Sequence, residues 1–269
     1  GKFQVERRIG AGGMGVVYRA YDSSLGRHVA LKTLPNSSAH EVKPLRREAR
    51  AMAAVVHPHL ASIYSLETWA GRPILVCEYL AKGTLADRLK AGPMPSDEAL
   101  GIGCALGDAL ARLHRSGILH RDIKPSNIGF SNTDEPKLLD FGLARILFAD
   151  ESLSASSLGN IAGTLRYVSP DVLNGGVPTT DSDVWSLSLS LYEAVAGVHP
   201  YEGRDMLATH TLARSGKIPD IRDYRPDTPP AVADMFRRAL SPDPRERPAT
   251  ATALISLLSS VGTGHLNVA

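Results

Sequence analysis

Six residues, Gly10 to Gly15, restrict the fold of this chain more than any other stretch of it. They read GAGGMG, a G-x-G-x-x-G. That pattern marks a dinucleotide-binding turn only where a helix follows it directly. Here Val16, Val17 and Tyr18 follow, and residues of that kind favour an extended strand. Gly10, Gly12 and Gly15 are therefore expected at the tip of a β-hairpin, where bare backbone N–H groups can approach phosphate oxygens closely. Alone, the pattern also fits a plain glycine turn.

The hairpin opens a strand-rich first part. FQVERRI, GVVYRAYD, HVALKTL, ASIYSLET and PILVCEY are β-branched or aromatic runs bounded by Gly, Pro, Asn and Ser, the composition of short strands. Between the third and fourth, Leu45, Ala49, Met52 and Val56 recur at helical spacing, and that segment ends at HPH. After LAKGTL the character changes. SDEALGIGCALGDALARLHRSG predicts a long helix, with Ser96 as its N-cap, Asp97 and Glu98 in the first turn and Gly117 as its stop. DSDVWSLSLSLYEAVAG predicts a mostly buried helix, and PAVADMFRRAL and ATALISLLSSV two more. A β-rich part before a helical part, joined near residues 78–83, predicts a two-lobed α+β fold with a ligand site in the cleft between the lobes.

Bulk properties remove other classes. With 269 residues and 43% hydrophobic content, the chain can bury a core without disulfide or metal staples. A net charge of +2 gives no reason to expect nucleic acid or an anionic membrane as a partner. Cys77 and Cys104 match no zinc or redox spacing and are expected to be reduced core residues. No run of about 18 apolar residues is present to span a bilayer. The start, GKFQVERRIG, has no signal-peptide core. The chain is expected to be a domain of a longer protein.

Chemistry enters with Lys32, which ends VALK in the third strand. A lone strand lysine is ordinarily a solvated one. Glu48, on the helix that should pack over the sheet, offers it a partner that would fix the ammonium where phosphate oxygens can meet it. Two further motifs follow, HRDIKPSN from His120 to Asn127 and DFG from Asp140 to Gly142. In order, the chain reads G-x-G-x-x-G-x-V, V-A-L-K, a helical Glu, H-R-D-I-K-P-S-N, D-F-G, G-T-x-x-Y-x-S-P-D and D-V-W-S. This set resembles the eukaryotic-like (Hanks-type) serine/threonine protein kinase catalytic domain over essentially the whole chain, and GAGGMGVVYRA looks most like its bacterial branch.

The resemblance implies an N-lobe at 1–77, a hinge at 78–83 and a C-lobe at 84–269, with an activation loop at 140–171. It implies ATP with Mg²⁺, Mn²⁺ being an alternative metal, and protein substrates carrying Ser or Thr. Asp122 would orient the attacking hydroxyl and accept its proton, and Lys124 would face the γ-phosphate. Asn127 and Asp140 would supply oxygen ligands to the metal. Val17 and Ala30 match the residues that roof adenine, and the backbone from Glu78 to Leu80 matches the hinge that bonds it. Cys77 falls at the gatekeeper position. Asp183 resembles the anchor of the catalytic-loop backbone, and Asp171 with Arg247 resembles the pair that ties the loop's end to the C-lobe. Lys124-Pro125 and Thr164 match the serine/threonine subfamily. Thr84 stands where arginine-directed members carry an acidic residue, so no basic consensus is expected.

FADESLSASSLGNIAGT falls between Asp140 and Thr164. By the resemblance it is the activation loop, with Ser156 and Ser157 the first candidates for phosphorylation and Ser154 and Ser152 behind them. Arg121 and Arg145 would receive the phosphate, whose charge-assisted bonds offset the cost of ordering the loop. Autophosphorylation in trans through a kinase–kinase dimer follows from the same resemblance. A cytoplasmic location is implied, as a free domain or as the cytosolic part of a membrane-anchored protein.

Some positions depart from the pattern. Gly129 replaces an apolar residue of the adenine floor, a loss of about 1 kcal/mol in nucleotide affinity by buried surface. Asp171 stands where Glu is usual and Ser188 where Gly is common. His28, His114 and His199 are expected to be structural or exposed, and His120 to belong to the scaffold beside Phe141. Lys32, Asp122, Asn127 and Asp140 are all present, against the alternative of a silent nucleotide-binding pseudokinase scaffold. A small-molecule kinase would not be expected to carry GTLRYVSPD.

Overall fold

The computed structural model describes residues 2–12, 15–34, 49–69, 72–141, 165–201 and 205–262. Five antiparallel strands form the N-terminal sheet: β1 (Phe3–Gly12), β2 (Gly15–Asp22), β3 (Arg27–Thr33), β4 (Ile63–Trp69) and β5 (Arg72–Glu78), in the order β1-β2-β3-β5-β4. At the hairpin tip Gly12 pairs with Gly15. Gly15 has φ +114°, and a Cβ there would fall onto the carbonyl oxygen of Thr33, so only glycine fits.

The sheet separates two cores. Ala20, Val29, Leu31, Ile74 and Val76 form a small cluster on one face. On the other face Leu75 joins the large core of the helical part, together with Ala49, Met52, Val55 and Leu60. β5 therefore carries an unbroken buried run from Pro73 to Val76, because both of its faces are covered. Residues 49–53 are helical. The helix closes with a tight turn in which Val55 N–H donates to Met52 O. That turn buries Val55 and leaves Val56 76% exposed, reversing the expected inward position of Val56.

The C-terminal part is built around α4 (Thr180–Ala196), which packs with α2 (Ser96–Arg115), α6 (Pro230–Ala239) and α7 (Ala251–Gly262). Trp185, Leu187, Leu189, Leu191 and Tyr192 of α4 are almost wholly buried. Its buried hydroxyls bond backward, Ser188 Oγ to Val184 O at 2.8 Å, which lets a serine stand in a packed helix. The N-cap of α2 is Pro95 rather than Ser96, which is the first helical residue; Pro95 is held at φ −56° and offers no side-chain cap. Gly117 ends that helix at φ +71°, as its sequence implies. The short α1 (Leu85–Leu89) starts at Thr84, whose hydroxyl and backbone exchange bonds with Asp87 in a capping box. A two-stranded ribbon of β6 (Ile128–Phe130) and β7 (Pro136–Leu138) is bridged to Leu60 at Leu138 and to Thr84 at Gly129. The remaining helices, α3 (Pro170–Leu173) and α5 (Met206–Ser215), pack on each other. Among the described residues no helix is long and apolar enough to cross a membrane.

Candidate active site

The site is assembled where the segment between α2 and β6 passes under β3. Asp183, on the buried face of α4, accepts the backbone N–H of His120 at 2.8 Å and of Arg121 at 2.8 Å, and also meets His114 Nε2 at 2.9 Å. A buried carboxylate needs such donors. In return it holds Arg121 at φ +68°, a left-handed backbone that a non-glycine residue adopts only under constraint. His120 is fully buried, and burial lowers its pKa.

One residue further on, the carboxylate of Asp122 is 3% exposed. Lys124 Nζ lies 2.9 Å from its Oδ1. Asn127 Nδ2 donates to Asp122 O at 2.8 Å and to Oδ2 at 2.7 Å. The amide nitrogen of Asn127 is thus committed inward, which leaves Oδ1 as the acceptor end of the group. Asn127 O in turn accepts from Leu139 N at 2.9 Å, fixing the residue before Asp140. Asp140 has φ +60°, and its Oδ2 lies 2.7 Å from Lys32 Nζ, whose side chain is 6% exposed. The lysine of β3 and the carboxylate after β7 therefore meet across the cleft.

The register shows which strand residues share that face. Val17 pairs with Lys32, Lys32 with Leu75, and Ala30 with Cys77, so Val17, Ala30, Lys32 and Cys77 lie on one side of the sheet. Cys77 and Cys104 are only partly buried. The Cys77 thiol is pushed up to about 12, by burial first and then by the negative charge of Asp140. It is a neutral wall group and not a nucleophile. At the strand end, Glu78 bonds Lys137 Nζ at 2.7 Å and accepts Ser62 N–H at 3.0 Å.

Gly129 does not leave a hole. A Cβ built there would collide with Leu80 Cδ1 and lie 3.2 Å from Leu139 Cδ1. The side chain of Leu80 occupies the space that a larger residue 129 would take. The lost apolar contact is accordingly replaced from the neighbouring segment.

Behind the site, Arg247 Nη1 meets Asp171 Oδ2 at 2.8 Å, its Nη2 donates to Pro242 O at 2.8 Å, and its guanidinium lies 4.5 Å from the Trp185 ring centroid. The shorter Asp171 therefore still reaches. Tyr167 donates to Glu193 at 2.5 Å. Arg121 is exposed. Glu48, Arg145, Ser152, Ser154, Ser156, Ser157 and Thr164 lie outside the described residues. Sequence reasoning overlooked the roles of His114, Lys137 and the Tyr167–Glu193 pair. Only the partner makes each of them informative, and these partners lie 26 to 69 residues away in sequence.

A family model for the protein kinase domain matches residues 3–257. The chain belongs to the protein kinase domain family. It is 40% identical over 256 residues to the serine/threonine-protein kinase PknK of Mycobacterium tuberculosis, covering 93% of this chain and 22% of that protein. It is 34% identical to the serine/threonine-protein kinase pkn2 of Myxococcus xanthus, covering 97% and 32%. It is 33% identical to PrkC of Bacillus subtilis, covering 93% and 39%. The chain thus spans between about a fifth and two fifths of these relatives. A kinase domain works on ATP with a divalent metal, and the residues in place suit both. Asp140 stands beside the buried cation of Lys32, Asn127 is held by Asp122 with its side-chain oxygen left as acceptor, and bare glycine backbone lies at the hairpin tip.

Proposed function

We propose that this kinase domain transfers the γ-phosphoryl group of ATP to Ser and Thr hydroxyls of proteins. The observation that carries the reading is that Asp122, Lys124 and Asn127 bond one another, while Asn127 O fixes the residue before Asp140, whose carboxylate meets Lys32 across the cleft. Phosphoryl transfer depends on positioning and charge neutralisation more than on covalent chemistry by the protein.

In this reading the glycine backbone at Gly10, Gly12 and Gly15 covers the phosphates, Val17 and Ala30 roof the adenine, and the backbone from Glu78 to Leu80 holds its edge. Lys32 would hold phosphate oxygens and pair with Glu48. Asn127 Oδ1 and the Asp140 carboxylate hold the metal, Mg²⁺ or alternatively Mn²⁺. When bound, it would supply positive charge that offsets that of the phosphates. Asp122 orients the substrate hydroxyl and takes up its proton as the O–P bond forms. Lys124 would face the γ-phosphate, and Thr164 would contact Asp122 and Lys124. Because Thr84 is spent on capping α1, it gives no acidic subsite for an arginine-directed substrate.

Segment 140–171 is the activation loop. Phosphorylation at Ser154, Ser156 or Ser157 would engage Arg121 and Arg145, through a transient pair of kinase domains. The domain acts in the cytosol on protein substrates. Incubation with Mg-ATP and a generic protein substrate, followed by phosphoamino-acid analysis, tests the reading. Phosphoserine and phosphothreonine that vanish with EDTA are expected. Phosphotyrosine alone, or no metal-dependent transfer, would refute it.

A further inference from the structure

β1 and β2 set Arg7 directly opposite Arg19, and like charges opposed across a ladder destabilise a sheet. Arg19 also pairs with Ala30 in β3, and His28 lies two residues before Ala30, so Arg19 and His28 share a sheet face. Glu6 compensates part of this charge. Its Oε2 meets Arg19 Nε at 2.8 Å and its Oε1 meets His28 Nε2 at 3.1 Å. Arg19 Nη2 lies 2.9 Å from the same His28 nitrogen. Among the described residues Arg7 meets no carboxylate. One positive charge is left uncompensated.

Arg7, Arg19 and His28 line a cavity of about 480 Å³, closed by the segment after β5. Its floor is Tyr79, whose ring centroid lies 5.2 Å from the Arg19 guanidinium carbon. Ser131 and Asn132, from the turn after β6, close the C-lobe side. Glu78 also reaches the wall, but its carboxylate is engaged by Lys137 and the Ser62 amide. None of Lys32, Asp122, Asn127 or Asp140 borders this space. An opposed arginine pair costs stability unless an anion relieves it. Guanidinium forks suit phosphate oxygens. The cavity has the volume of a small-molecule site and exceeds a bare phosphate, leaving room for a carrier group against Tyr79 and the His28 ring.

We propose that the cavity at the hinge binds a phosphate monoester through Arg7 and Arg19. The monoester is either a phosphorylated side chain or a small phosphorylated metabolite, and its carrier rests on Tyr79. Calorimetric titration of the nucleotide-free domain at low salt, with O-phosphoserine, a phosphoserine peptide, inorganic phosphate and serine, tests this. O-phosphoserine should bind at least tenfold more tightly than phosphate, and serine should not bind. A phosphoserine peptide that binds as tightly identifies a protein side chain as the source, and one that is excluded identifies a small metabolite. Arg7→Gln and Arg19→Gln should each weaken binding about tenfold or more, the loss of one charge-assisted contact. Arg7→Gln should leave the melting temperature of the free domain unchanged or raised, because it removes a repulsion. Unaltered affinity in both variants, equal affinity for phosphate and its ester, or a lowered melting temperature in Arg7→Gln would overturn the proposal.

Discussion

The two walls of the cleft are supported very differently. The lower wall, from His120 to Asn127, is fastened from behind by Asp183 and sits on a core that includes the whole inner face of α4. The upper wall is a single sheet whose own core is five buried side chains. Its lysine reaches the lower wall at Asp140, 2.7 Å away. The lower wall can therefore hold a strained backbone at Arg121 and Asp140, whereas the upper wall has a small core of its own and joins the large one through Leu75. A kinase domain needs one rigid bed for the reacting groups and one cover that admits and releases nucleotide.

The sharpest way to break this contrast is to cut the lower frame. Arg247→Ala removes a guanidinium whose side chain is 1% exposed. A loss of about 3–5 kcal/mol is expected in urea unfolding, chiefly because the carbonyls of Ser241 and Pro242 lose a charged donor while the partly exposed Asp171 can turn to water. Leu31→Ala in the small upper core should cost less, about 2–3 kcal/mol. Equal costs would abolish the distinction.

The next test concerns the hinge. Gly129→Leu forces a side chain into space held by Leu80 and should cost about 1–3 kcal/mol of stability, with weakened ATP binding. Adding Leu80→Ala should recover most of both. A lack of recovery would separate Gly129 from Leu80.

Much of this was legible in the sequence, and the reasons are local. The strands, α2, α4, α6 and α7 declare themselves by alternation or helical period, and the catalytic groups by spacing within short motifs. α5 escaped notice because its outward face carries Leu207, 76% exposed, which blurs its amphipathic pattern. Val56 was misplaced because the closing turn after residue 53 shifts the period by one. The filling of Gly129 by Leu80 could not be read at all, since it joins residues 49 apart. The Arg7–Arg19 opposition depends on register, which two bulges in β1 alter.

A smaller effect should appear in acid. Burial, and then the charge of Arg166, lower the His199 pKa to about 3. Between pH 6.5 and 3 the unfolded chain takes up a proton that the folded one refuses. Stability is thus full above about pH 6.5 and falls as pH drops towards 3. His199→Gln should make the loss between pH 7 and 5 shallower by about 2 kcal/mol. An unchanged slope would remove His199 from the acid response.

The claim that matters most is that Asp122 acts on the reacting hydroxyl while the frame around it only holds it in place. Asp122→Asn keeps the shape of the side chain and the Asn127 contact to the Asp122 backbone oxygen but removes the base. Single-turnover phosphate transfer from saturating Mg-ATP to a protein substrate is the direct measurement. The account predicts a fall of at least about a thousandfold in rate, with ATP affinity and melting temperature close to those of the parent protein. Transfer within tenfold of the parent rate would contradict it.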